Sequence, residues 1–149
     1  MPIGQTKLDE HFKRVKLLKE GEAWLQAFNQ QTKEQIIRWV QNQLEQKGVD
    51  GRGVVIGQYS YATEVISKGR KQQGDNYTLK DTGAFFNSFE VYVSDQLIEV
   101  NGDGRKGKDN LYLKYGEYIT TLTEENIEHL REIVKDKYRE YARRILQLD

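Results

Sequence analysis

Asp81-Thr82-Gly83 is the triplet in this chain whose residue types could do chemistry. At the base of an aspartic-protease cleft the same triplet supplies one carboxylate of a pair that shares a proton and activates water. Here it lies inside Tyr77-Thr78-Leu79-Lys80-Asp81-Thr82-Gly83-Ala84-Phe85-Phe86-Asn87-Ser88-Phe89, a context that also reads as a helix start. Asp81 or Thr82 would cap the first backbone N–H groups, and Phe85, Phe86 and Phe89 follow at the spacing that lays apolar side chains on one helical face. The neighbours favour architecture over chemistry. A proton-sharing carboxylate pair asks for apolar surroundings, whereas Lys80 directly precedes Asp81. A retropepsin-like chain is all-β with its apolar-apolar-Gly segment after the triplet, whereas Val55-Ile56-Gly57 comes before it here and helical patterns stand at both ends. Asp81, Thr82, Gly83, Phe85, Phe86, Ser88 and Phe89 are therefore read as a structural turn and anchor, with an Asp81-based protease as the enzyme rival.

Other chemical readings fail on detail. Asn101, Asp103, Asp109 and Asn110 place oxygen ligands as a calcium loop begins, but Arg105 falls at the fifth position, Lys106 replaces the glycine at the sixth, and Tyr112 stands where a bidentate Glu is required. His11 and His129 each lack a partner at ligand spacing. Gly51-Arg52-Gly53 and Gly102-Asp103-Gly104 lack the Gly-Lys-Ser/Thr that a phosphate-cradling loop needs. The absence of Cys removes thiolate nucleophiles, disulfides and Cys-ligated zinc. No cofactor and no metal is expected.

The 149 residues suit one domain, 1–149, able to bury roughly two thirds of its unfolded surface. Lys plus Arg and Asp plus Glu both number 23, so no net field draws the chain to nucleic acid or an anionic membrane. Hydrophobic residues make up 37 %, lean for a chain that builds its core alone, and the nine Tyr and two Trp are types favoured at interfaces. Lys7, Asp9, Glu10, His11, Lys13 and Arg14 interrupt any apolar signal core, and no apolar run approaches the ~20 residues of a membrane span. The chain is expected in a cytoplasm unless a larger assembly carries it out.

The elements that must position these residues follow from spacing. Residues 5–19 give a basic amphipathic helix on Leu8, Phe12, Val15 and Leu18, followed by a small cluster of Ala23, Trp24, Leu25 and Phe28, so residues 1–30 form a helical extension. Thr32 and Gln35 form a capping-box pattern, Ile36, Val40 and Leu44 a stripe, and Gly48 a stop, predicting a helix over 32–47. Val54-Val55-Ile56-Gly57 reads as a short buried strand. Residues 58–80 read as a mobile surface loop with one helical turn near 62–66, and residues 101–110, with three glycines and no apolar side chain, as a second mobile loop. Residues 90–94 and 97–100 make a hairpin turned by Asp95-Gln96, and residues 111–116 one more strand. Thr123 caps a last helix on Ile127, Leu130, Val134, Tyr138, Tyr141 and Ile145. The sum is an α+β fold: a small antiparallel sheet packed by N-terminal helices and one long C-terminal helix, with residues 31–149 as its core.

Tyr59-Ser60, Thr63, Lys68-Gly69-Arg70-Lys71, Leu79, Asp81-Thr82-Gly83, Phe85, Ser88 and Phe89 occur in that order, then the strand pair, Tyr115-Gly116 and a Leu-Thr-Glu-Glu segment at residues 122–125. In order and spacing this resembles the bacteriophage virion-morphogenesis or tail-completion proteins, over about residues 55–135. The chain departs from that family at Glu117-Tyr118-Ile119-Thr120, where an Arg-Pro-Phe-type stretch is usual, and in the bulk of Phe85 and Phe86. The resemblance implies a non-enzymatic structural protein of the virion neck or tail terminus. Such a protein forms a homo-oligomeric ring between portal or adaptor and tail tube, with incidental contact to packaged DNA and none to membrane, and is assembled in the host cytoplasm. Under it, Tyr59, Tyr61, Lys68, Arg70, Lys71, Arg105, Lys106 and Lys108 are candidate subunit contacts, and Phe12, Trp24, Phe28, Tyr138 and Tyr141 candidate partner contacts. The binding-module rival is a nucleic-acid-associated protein using the basic residues 7–19 and 68–71.

Overall fold

The computed structural model describes residues 26–94 and 97–146. The expected helix over 5–19, with Phe12, Trp24 and His11, and the turn at Asp95-Gln96 lie outside the described residues.

Helix α1, Gln30–Asn42, begins one turn earlier than the capping-box pattern indicates, because Asn29 is the cap: its Oδ1 accepts the Thr32 backbone N–H at 3.0 Å. Thr32 is buried inside the first turn, and its hydroxyl donates back to the Ala27 carbonyl at 3.2 Å. Ile36, Val40 and Leu44, four apart, are fully buried and form the spine of the core. The helix then widens into a π-helical turn, Gln43–Lys47, and stops at Gly48 with φ 62° as expected. The buried strand expected at Val54 does not form. Asp50 accepts from the Arg52 and Val54 backbone N–H groups and pairs with the Arg52 guanidinium at 2.7 Å, which tightens a turn and leaves Val54 and Val55 half exposed. Gly51 donates to the Tyr118 carbonyl at 2.9 Å, and a Cβ there would stand 1.7 Å from Thr121 Oγ1, so this turn approaches its neighbour only as glycine.

Between residues 58 and 80 the chain forms helix α2, Tyr61–Ile66, close to the expected turn and capped by Ser60. Ser67 gathers the end of this segment: its hydroxyl donates toward the Glu64 and Lys71 carbonyls and accepts the Lys71 N–H. Helix α3, Ala84–Asn87, is a single turn that leads into the hairpin of β1, Glu90–Val93, and β2, Ile98–Asn101. The strands are antiparallel, with Val91 opposite Val100 and both buried. The segment 101–110 is not a structureless loop. It holds a second antiparallel pair, β3, Arg105–Lys106, and β4, Asp109–Asn110, turned by Gly107. The strand expected at 111–116 is helix α4, Leu111–Tyr115, because Asn110 accepts from the Tyr112 and Leu113 N–H groups as an N-cap. A 3-10 turn, Glu117–Thr120, follows, and helix α5 spans Glu124–Leu146. Thr123 caps α5 as the spacing predicts, its carbonyl accepting Ile127 N–H at 2.8 Å.

The architecture is α+β: helices around a two-stranded antiparallel sheet, closed by the long last helix. The core joins Ala27 and Phe28, the α1 spine, the three phenylalanines Phe85, Phe86 and Phe89, the valines of the hairpin, Leu111, Ile119 and Leu130.

Candidate functional site

Asp81 does not cap α3. Gly83, at φ 87°, is the cap residue, and Thr82 Oγ1 accepts the Ala84 N–H at 3.2 Å. The Asp81 carboxylate instead holds two lysines from the two flanking segments, Lys106 at 2.9 Å and Lys71 at 3.7 Å. The Lys106 ammonium, and then Lys71, hold the Asp81 carboxyl below its usual value. The protease chemistry requires a second carboxylate that shares a proton with Asp81, whereas the groups that pair with it here are two lysines.

Around this hub is a cleft of about 390 Å³ with a tyrosine floor. Tyr59 meets Tyr77 edge-on at 4.8 Å, and Tyr77 meets Tyr115 at 5.9 Å. Lys71 lies 5.4 Å over the Tyr59 ring and Lys114 lies 5.3 Å over Tyr115. Arg105 also lines the cleft, its guanidinium held by Asp103 at 2.9 Å. Thus Tyr59, Lys71, Asp81, Arg105 and Lys106 come together, while Tyr61, Lys68, Arg70 and Lys108 stay on the exposed surface.

Beneath the hub, Phe85 and Phe86 of α3 and Phe89, two residues past its end, are buried together. Phe85 packs edge-on to Phe89 at 4.8 Å and to Tyr112 at 6.0 Å. Ser88 Oγ accepts the Asp103 N–H at 2.7 Å, and Tyr112 Oη accepts the Gly102 N–H at 2.9 Å. The triplet, the sheet and the 101–110 segment are therefore one unit. Since the Asp81 carboxyl is lowered, its ion pairs contribute above the unfolded carboxylate range near about 3.9, and that contribution is lost as pH falls through the lower native value. All three side chains are a third or more exposed, so Asp81→Asn is expected to cost less than about 1 kcal/mol near neutral pH, and less still in high salt. Chemical denaturation of both proteins at two salt concentrations checks it; a loss of several kcal/mol would mean that the carboxylate has a further role.

Sequence reasoning missed a second concavity of about 1130 Å³ between β2 and α5. Ile98, Val100, Ile127, Leu130, Val134 and Tyr138 give it an apolar lining, and Phe28 also reaches it. The stripe on α5 was legible; that part of it faces a groove follows only from the folded position of β2. Tyr141, one turn further on, is buried, with a hydroxyl that has no hydrogen-bond partner. Among the described residues no cluster of three or more His, Asp or Glu could hold a metal ion, and no helix is long and apolar enough to cross a membrane.

No family model and no solved structure matches the chain. A stretch of 63 residues is 42 % identical to the alpha-1,3/1,6-mannosyltransferase ALG2 of Dictyostelium discoideum. That stretch is 42 % of this chain, and the chain spans only 14 % of that protein's length.

Proposed function

We propose that this chain is a non-enzymatic structural subunit of a phage neck or tail terminus, working as one member of a homo-oligomeric ring between portal or adaptor and tail. The observation that carries the reading is α2. This helix has no buried residue, yet it turns Tyr61, Val65 and Ile66 outward, the last 82 % exposed. Ser60 at its start and Ser67 at its end hold it by hydrogen bonds. A short helix of this kind is presented for burial by a neighbour, and Leu113 on α4 is presented likewise. Repeated heterologous contacts of such elements close a ring around an axis. The Asp81 hub fits the same role, since it fixes the two presenting segments to each other.

The nucleic-acid alternative has less support. Of the cations around the cleft, Lys71 and Lys106 share Asp81, Arg105 is taken by Asp103, and Lys80 by Glu45 at 2.7 Å. Lys114 in the cleft and the exposed Lys68 and Arg70 remain, and the basic residues 7–19 on which that reading also rests lie outside the described residues.

Quantitative peptide mass spectrometry on purified particles of the phage encoding this chain tests the reading. The expected result is a fixed copy number in simple ratio to the portal protein. Absence from particles would overturn the structural assignment.

A further inference from the structure

The hairpin ends in an open edge that faces the large groove. Ser94 N–H donates to the Leu97 carbonyl at 2.9 Å, and the register sets Tyr92 opposite Glu99 and Glu90 opposite Asn101. Hydrogen-bonded pairs alternate along an antiparallel ladder, so these three pairs turn their backbone groups into the hairpin. Ile98 and Val100 consequently turn their N–H and C=O groups away from β1. No third strand pairs with them among the described residues. At the next outward position, Gly102, the N–H is already taken by the Tyr112 hydroxyl, which marks one end of the open stretch.

The groove runs along this edge. Leu97, Ile98, Glu99, Val100 and Asn101 all line it. Successive strand side chains point to opposite faces, so a concavity touching five in a row lies beside the strand and not on one face of it. Its volume, about 1130 Å³, exceeds the range of roughly 300–1,000 Å³ typical of small-molecule pockets.

We propose that the β2 edge and the groove form a strand-addition site for an extended segment of another polypeptide. Only an extended backbone satisfies a row of outward N–H and C=O groups; a helix laid in the groove would leave them unpaired. The partner's chemistry follows from the pleat. Residues opposite Ile98 and Val100 share the face carrying the core and Leu130, and must be apolar. The residue opposite exposed Glu99 lies on the other face and is matched by Lys or Arg. The pattern is apolar, basic, apolar. It also excludes a second copy of β2 in the register that pairs Ile98 with Val100, because Glu99 would then stand directly opposite its equivalent. This inference is independent of the virion reading.

The test uses the full chain and two synthetic probes, acetyl-Thr-Val-Lys-Val-Thr-amide and its counterpart with Glu at the centre, followed by NMR amide exchange. With the Lys-centred peptide at saturation, exchange at the Ile98 and Val100 amides is expected to slow by at least about tenfold. The Glu-centred peptide should bind about fivefold more weakly, reflecting a cross-strand attraction turned to repulsion. In Glu99→Lys, an exposed substitution that leaves the core alone, the order of the two peptides should reverse. Unchanged exchange at both amides with either peptide would overturn the proposal, as would a preference indifferent to Glu99→Lys.

Discussion

Phe85→Ala is expected to lower stability by about 3–5 kcal/mol, the usual cost of emptying a buried phenylalanine site. For a domain of this size that is a fall in Tm on the order of 10 °C. Phe85 is 8 % exposed and is the one ring in contact with Phe86, Phe89 and Tyr112 together. Collapse cannot refill the site cheaply, because Gly102 already sits against both Phe89 and Phe85, where a Cβ would come within 2.7 Å and 3.0 Å of their rings. The effect should also spread. Tyr112 leans on Phe85 and its hydroxyl holds the Gly102 N–H, so loosening the ring should speed amide exchange at Gly102. Calorimetry gives the first quantity and NMR exchange the second. A loss below about 1 kcal/mol would mean that the aromatic anchor is not what joins the triplet to the sheet.

How much of this was legible from the residues depends on whether the determinant is local. The last helix was, since its Thr123 cap and four-residue apolar spacing both sit within it. The hairpin strands were, since two alternating segments adjacent in the chain need no distant partner to pair. The Asp-Thr-Gly anchor was legible as apolar mass at Phe85, Phe86 and Phe89, but not in the job of Asp81, whose lysine partners come from segments far along the chain in both directions. Val54-Val55-Ile56 has the composition of a strand and fails to become one because the Asp50 turn uses its neighbours' backbone groups and only the isolated bridge to Val49 is available. Leu111-Tyr112-Leu113-Lys114-Tyr115 alternates like a strand, yet Asn110 accepting two successive N–H groups starts a helix there; the signal lay in the residue before the pattern. The groove was illegible, because it exists only where β2 comes to lie beside α5.

The other large effect is expected at Gln43, the first residue of the π-helical turn, which lies three residues after Val40 and seven after Ile36 and so brings a polar side chain onto the buried stripe. Its carboxamide is 3 % exposed and spans to the start of the last helix. Nε2 donates to the Thr121 carbonyl at 2.9 Å, while Oε1 accepts the Thr123 N–H at 3.0 Å and Asn126 Nδ2 at 2.7 Å. The first of these acceptor contacts satisfies the Thr123 N–H, which has no partner within its own helix, and the second fixes the Asn126 side-chain amide on the first turn of α5. Gln43→Met keeps the length and removes all three bonds, leaving Thr121, Thr123 and Asn126 with unpaired polar groups at about 1–3 kcal/mol apiece if buried. Because those three residues are partly exposed, water recovers some of the loss, and the expected total is about 2–4 kcal/mol. The midpoint of urea unfolding should fall with little change in slope. Gln43→Glu, which keeps both acceptor bonds and loses the donor, should fall between the two. If Gln43→Met were as stable as the parent, the closure of α5 onto α1 would have to rest on Leu130 and its apolar neighbours alone.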